Sequence, residues 1–112
     1  MGMFDVFSKP GANPDEISHE DLEAALAGGK IALVDVREPD EYAAGHAAGA
    51  VNLPLSRFDP NQLPESLPVV LMCKVGGRSA TALGRAKAAG RVDVRHYRPG
   101  FMGWSASGGK VA

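Results

Sequence analysis

Two short apolar runs without alternation constrain this chain more than anything else in it: "IALVDV" at 31–36 and "VVLMC" at 69–73. A strand that stays apolar on consecutive residues is covered on both faces, as in a parallel sheet wrapped by helices. Helical signals alternate with these runs. Ser18 and Asp21 form an approximate capping pair ahead of Leu22, Ala25 and Leu26 on one helical face, and Gly28 and Gly29 end that helix. Pro39 suits the first turn of a short helix through "PDEYAAG", and "AVNLP" (50–54) reads as a second short strand. Pro60, Pro64 and Pro68 predict an irregular connection over 55–68 with a turn or two of helix. Ser79–Ala89 reads as the strongest helix, closed by Gly90; "VRHYR" (94–98) reads as a last strand and "GFMGWSA" as a final short helix. Strand and helix alternating from residue 31 onward predict an α/β layer fold with a mainly parallel sheet.

A chain of 112 residues, 45% hydrophobic, is long enough for one core and no more. The expected division is a flexible tail over 1–15, where "SKPGANPDE" reads as loop, and one domain over 16–112. The single cysteine, Cys73, excludes an internal disulfide and a multi-cysteine zinc site, which fits a reducing, cytoplasmic setting. The amino end lacks the charged start and apolar core of a secretory signal, and Val6 breaks a myristoylation match at Gly2. No stretch is long enough to span a membrane. No metal or cofactor is expected.

The net charge of −1 hides an asymmetry: residues 1–56 hold ten acids and three bases, and residues 57–112 hold three acids and nine bases. That arrangement can steer a small anion toward the basic half. No basic run interleaved with aromatics points to nucleic acid.

Cys73 sits at the carboxyl end of an expected strand, where ligands bind in open α/β sheets. A free cysteine is usually a small buried hydrophobe, but the residues after this one, Lys74, Val75, Gly76, Gly77, Arg78 and Ser79, argue otherwise. Adjacent glycines let the chain turn so that successive amides point inward as an anion nest, and a helix amino terminus adds unpaired N–H groups at the same place. Lowering a thiol pKa from about 8.5 to about 6.5 takes roughly 2.7 kcal/mol. A helix terminus supplies about 0.3–1 kcal/mol of that. Loop amides and the cations Lys74 and Arg78 must provide the rest through charge-assisted hydrogen bonds, so loop geometry is expected to matter more than the helix dipole.

At these residues the chain resembles the rhodanese, or sulfurtransferase, family. "CKVGGRS" is similar to the family's active-site loop, in which the nucleophilic cysteine opens a six-residue loop ahead of a helix. "ALVDVREPDEYAAGHAAGAVNLP" (32–54) resembles its Asp-x-Arg, Gly-His and Gly-Ala-x-Asn-x-Pro signature in the right order, and "YRPGFMGWSASGGKV" (97–111) resembles its closing Gly-rich segment with a tryptophan. "EISHEDLEAAL" (16–26) is similar to the usual opening. Ala47 and Pro99 depart from the isoleucine and glycine common in the family.

The resemblance implies a three-layer α/β domain, a mainly parallel sheet of about five strands with helices on both faces. It implies a thiosulfate sulfurtransferase that carries sulfane sulfur as a Cys73 persulfide from an anionic donor to cyanide or a cellular thiol, a protein acceptor among them. Residues 74–79 bind the donor in this reading: Lys74, Val75, Gly76, Gly77, Arg78 and Ser79, with Arg78 and Lys74 on the sulfonate. Asp35, Arg37 and His46 support the site, and Trp104 is a core or lid contact. Four residues separate Cys73 from Arg78, whereas phosphatases of this fold have five, and the smaller loop suits sulfur. The alternative is a sulfur-carrier or partner-binding module without turnover. A monomer or weak homodimer is expected. His19 and His96 receive no role.

Overall fold

The computed structural model describes residues 13–112. The expected tail lies outside them up to residue 12. Four helices and four strands are present: α1 (His19–Ala27), β1 (Ala32–Asp35), α2 (Pro39–Ala44), β2 (Val51–Asn52), β3 (Val69–Met72), α3 (Gly77–Ala88), β4 (Val94–His96) and α4 (Gly100–Ala106). The sheet is parallel throughout, in the order β2-β1-β3-β4. Four strands form it rather than about five. At the β4 edge a single parallel bridge, Glu16 to His96, stands where a fifth would lie.

Local chemistry explains the ends of these elements. Ser18 caps α1 by accepting from the Asp21 amide at 3.1 Å. Glu38 and Glu41 form a reciprocal capping box around the start of α2, with Pro39 in its first turn. Residues 55–68 hold two short 3-10 turns, Leu55–Arg57 and Pro60–Gln62. The helix after Cys73 begins at Gly77, two residues earlier than the pattern suggests, because only Gly76 takes positive φ (97°) and serves as its cap. Gly77 is already helical.

Helices cover both faces. Leu33, Val70, Met72 and Tyr97 pack against Leu22 and Ala25 of α1 and Trp104 of α4. Val34, Val36, Leu71 and Cys73 pack against Ala82, Leu83 and Ala86 of α3 and against Leu63. Trp104 belongs to the core, with its Nε1 donating to the Lys110 carbonyl at 2.8 Å.

Strand order places the site. The chain leaves β1 through α2 toward β2 at one edge, and leaves β3 through α3 toward β4 at the other. The central pair β1 and β3 is therefore the switch point, whose carboxyl-end crevice is where such sheets bind ligands. Asp35 ends β1 there, and Cys73 follows β3.

Candidate active site

Cys73 is a free, buried cysteine held at the floor of a turn made by residues 74–77. The Gly76 amide donates to its Sγ at 3.1 Å, and Sγ lies 3.6 Å from Ser79 Oγ, the thiol donating to the hydroxyl and the thiolate accepting from it. Burial pushes the thiol pKa up, but hydrogen bonds from the Ser79 hydroxyl and from the amides of Ser79, Gly76 and Val75 outweigh it, leaving the net shift downward. The Ser79 hydroxyl contributes most to that lowering, ahead of the amides.

What aims the amides inward is α4. The Phe101 amide donates to the Cys73 carbonyl at 2.7 Å and the Met102 amide to the Lys74 carbonyl at 3.2 Å. With the Lys74 carbonyl turned outward onto that helix terminus, the N–H on the same trans peptide group, that of Val75, faces the other way, toward the sulfur. Gly100 permits the approach: a Cβ there would sit 2.2 Å from the Lys74 oxygen. Gly76 is similarly constrained, since a Cβ would stand 2.6 Å from the Arg98 oxygen.

Of the loop's cations, Lys74 is exposed at the rim beside exposed Val75. Arg78 is half-buried and paired: its Nη1 and Nη2 donate to the two carboxylate oxygens of Glu41 at 2.6 and 3.0 Å. Arg78, expected on a donor's sulfonate, thus has two of its five N–H donors on a carboxylate from α2. The Arg78 guanidinium in turn holds the Glu41 carboxyl down to about 2.

Asp35, Arg37 and His46 tie loops together around the site. Arg37 donates through Nε and Nη2 to the Asp35 carboxylate, and Nη2 also reaches the Gly45 carbonyl at 2.8 Å. Its guanidinium lies 4.4 Å from the centre of the Phe101 ring. One buried cation so joins the end of β1, the exit of α2 and the helix that braces the cysteine loop. His46 stacks on Tyr42 at 3.7 Å and its Nδ1 lies 2.9 Å from the Tyr42 carbonyl, while the Tyr42 hydroxyl donates to Ala50.

Two residues at the site escaped the sequence reading. Glu41 is one. The other is His96, buried, with Nδ1 2.9 Å from Ser79 Oγ and so one hydroxyl away from the sulfur. A signal for it existed: strand parity in β4 puts His96 on the face of Val94, opposite Tyr97, and that face is the one α3 and Cys73 occupy. Among the described residues, no group of three or more His, Cys, Asp or Glu could hold a metal, and no helix is long and apolar enough to cross a membrane.

The family model for the rhodanese-like domain matches residues 18–107. An uncharacterized protein of Synechocystis sp., slr1261, is 41% identical over 80 residues, covering 70% of this chain and 45% of its own length. The chain therefore spans less than half of that relative. Human single-domain sulfurtransferase TSTD1 superposes with a TM-score of 0.72 at 28% identity, over 86% of this chain and 97% of that one. A thiosulfate sulfurtransferase from Pseudomonas aeruginosa superposes with a TM-score of 0.76 at 33% identity, over 86% of this chain and 19% of that one. With 90 of its 112 residues inside the family model and its cysteine cradled by loop amides at the sheet's switch point, the chain belongs to the rhodanese-like domain family.

Proposed function

We propose that the protein is a sulfurtransferase that moves sulfane sulfur from thiosulfate, or a similarly charged donor, to a thiol or cyanide through a persulfide on Cys73. The observation that carries this is the Cys73 sulfur itself, buried yet lowered in pKa by amides and a hydroxyl that all favour negative charge. The Cys73 thiolate attacks the outer sulfur of the donor. The donor's S–S bond breaks, its electron pair leaves with sulfite, and the new bond is Cys73 Sγ–S. An acceptor thiolate or cyanide then attacks the outer sulfur and releases Cys73 as thiolate, a two-step covalent course with ping-pong kinetics.

Lys74, at the rim, meets the sulfonate end of the donor as a point charge. A guanidinium has five N–H donors, and Glu41 takes one from each terminal nitrogen of Arg78. Arg78 thus holds the loop's far end against α2 and still offers N–H to an anion. The loop amides that receive the thiolate also receive the persulfide. No second cysteine exists in the chain to resolve it, so an external acceptor does so. The likeness to a single-domain sulfurtransferase and to a thiosulfate sulfurtransferase supports both the chemistry and the donor class.

Intact mass after incubation with thiosulfate tests the reading. One added sulfur on the wild type, none on Cys73→Ser, and thiocyanate formation when cyanide follows are the expected results. An adduct without thiocyanate indicates a carrier without turnover, and no adduct at all removes the sulfur-transfer reading.

A further inference from the structure

His96 is buried beneath the active-site loop, and its ring bonds Ser79, a residue that touches the nucleophile. The hydrogen-bond arithmetic at that partner is restrictive. Ser79 Oγ has one proton and three neighbours: the Gly76 carbonyl at 3.2 Å, His96 Nδ1 at 2.9 Å and Cys73 Sγ at 3.6 Å. If His96 Nδ1 is bare, it competes for that proton, and the serine can only accept from the cysteine, which favours the thiol. If Nδ1 carries hydrogen, the serine oxygen accepts from the ring and its own proton is left for the Gly76 carbonyl or the sulfur, of which the charged thiolate is the stronger acceptor, so the thiolate is favoured.

We propose that His96 is a positioning residue for Cys73: its Nδ1–H donates to Ser79 Oγ, so that the serine hydroxyl donates to the cysteine thiolate and to the persulfide formed from it. No net proton transfer to the ring is involved. The imidazole stays neutral and acts as a fixed donor, with Nε2 unprotonated. The inference rests on Cys73 being the nucleophile.

The surroundings favour a neutral ring. Asp15 and Glu16, on the segment paired along β4, would stabilise a cation at His96, and Arg98 beyond the strand opposes one. Cys73, just after β3, faces the ring by way of Ser79, and Lys87 of α3 pairs with Asp15. Burial is the largest influence and pushes the imidazole pKa below its ordinary value. The same segment fixes the ring's backbone, with the His96 amide donating to the Asp15 carbonyl and the Ile17 amide to the His96 carbonyl.

The rate of Cys73 alkylation by iodoacetamide against pH, followed by intact mass, reads thiolate population without any sulfur donor. His96→Leu and Ser79→Ala should each raise the midpoint by about one pH unit, tenfold less thiolate below it, the size of one hydrogen bond to a charged group. His96→Asn, which can place an amide N–H near the position of Nδ1, should restore most of the shift. Because the histidine acts through the serine, the double variant should move no further than Ser79→Ala. Shifts that add, or a His96→Leu rate reduced by one factor at every pH with the midpoint unchanged, overturn the proposal. Nitrogen-15 spectra of the wild type give an answer that needs no variant: a neutral Nδ1–H tautomer is expected, and a neutral Nε2–H tautomer overturns it. Thiosulfate labelling run beside these separates the two readings, since a missing sulfur adduct with a shifted midpoint removes sulfur transfer and leaves His96 in place.

Discussion

Gly100 and Gly29 have nearly the same backbone angle, φ 68° and 65°, and very different surroundings. A Cβ at Gly29 meets nothing within 4 Å, whereas one at Gly100 would stand 2.2 Å from the Lys74 oxygen and 2.7 Å from the Cys73 oxygen. Gly29→Ala should therefore cost only the left-handed strain of an L residue, about 1–2 kcal/mol. Gly100→Ala adds a collision with backbone that cannot swing aside, and the displaced carbonyls are those that Phe101 and Met102 hold outward. Its urea-unfolding free energy should fall further than that of Gly29→Ala, and only Gly100→Ala should raise the pH midpoint of Cys73 alkylation. Equal losses with unmoved midpoints would show that α4 does not aim the loop amides. The contrast also says why Pro99, unlike the more common glycine, is tolerated: it stands in right-handed geometry, φ −60°, one residue before the close approach.

Between elements, the Arg78–Glu41 pair joins the first turn of α3 to α2 across the mouth of the site. Arg78, more than any other group, depresses the Glu41 pKa to about 2. A depressed carboxyl contributes stability that is fully present above its unfolded pKa of about 4.3 and is lost as pH falls through the folded value. The window is thus about pH 4.5 down to 2. Both side chains are about a third exposed, so solvent screening limits the effect to about 1 kcal/mol or less. Glu41→Gln should lose little stability at pH 7 and should flatten part of the wild-type decline over that acid window, measured by urea unfolding at stepped pH. An unaltered decline would mean the pair carries no net stabilisation. The pair also marks the limit of what could be read from the chain. The strands and α1, α3 and α4 are written in local pattern: apolar runs, caps and terminating glycines within a few neighbours. The cysteine cradle was legible for the same reason, being one uninterrupted stretch from Met72 to Ser79. Glu41 lies 37 residues from Arg78, and His96 lies 17 from Ser79. Only the strand order and the opposite directions of the two crossovers bring them to the loop, and no local pattern encodes that order.

At the scale of the whole molecule, the charge asymmetry of the chain becomes a spatial one around the switch point. The acids Glu20, Asp21, Glu23, Asp40 and Glu41 lie on α1 and α2, while Lys74 on the loop, Arg78 in the first turn of α3 and Arg98 after β4 lie around the cysteine loop, with Arg85 and Lys87 in the last turn of α3. Two of these cations are partly neutralised by pairs, Arg78 with Glu41 and Lys87 with Asp15. Lys74 and Arg98, both exposed, are then the charges best placed to draw in an anion. Arg98 packs beside the loop, its Cγ 3.4 Å from where a Gly76 Cβ would be. Steering of this kind acts on encounter rate and is screened within a Debye length, about 30 Å at 0.01 M and about 8 Å at 0.15 M ionic strength. In the proposed sulfur transfer, kcat/KM for thiosulfate should therefore fall several-fold as salt is raised across that range at constant pH. Alkylation by iodoacetamide, which is neutral, should change little, because the thiolate sits among buried amides that salt screens weakly. Replacing Lys74 and Arg98 together by Gln should lower the low-salt rate and flatten the salt response, with the alkylation profile unmoved. Parallel salt responses for the charged and the neutral reagent would place the effect on the thiolate itself and remove steering from the account.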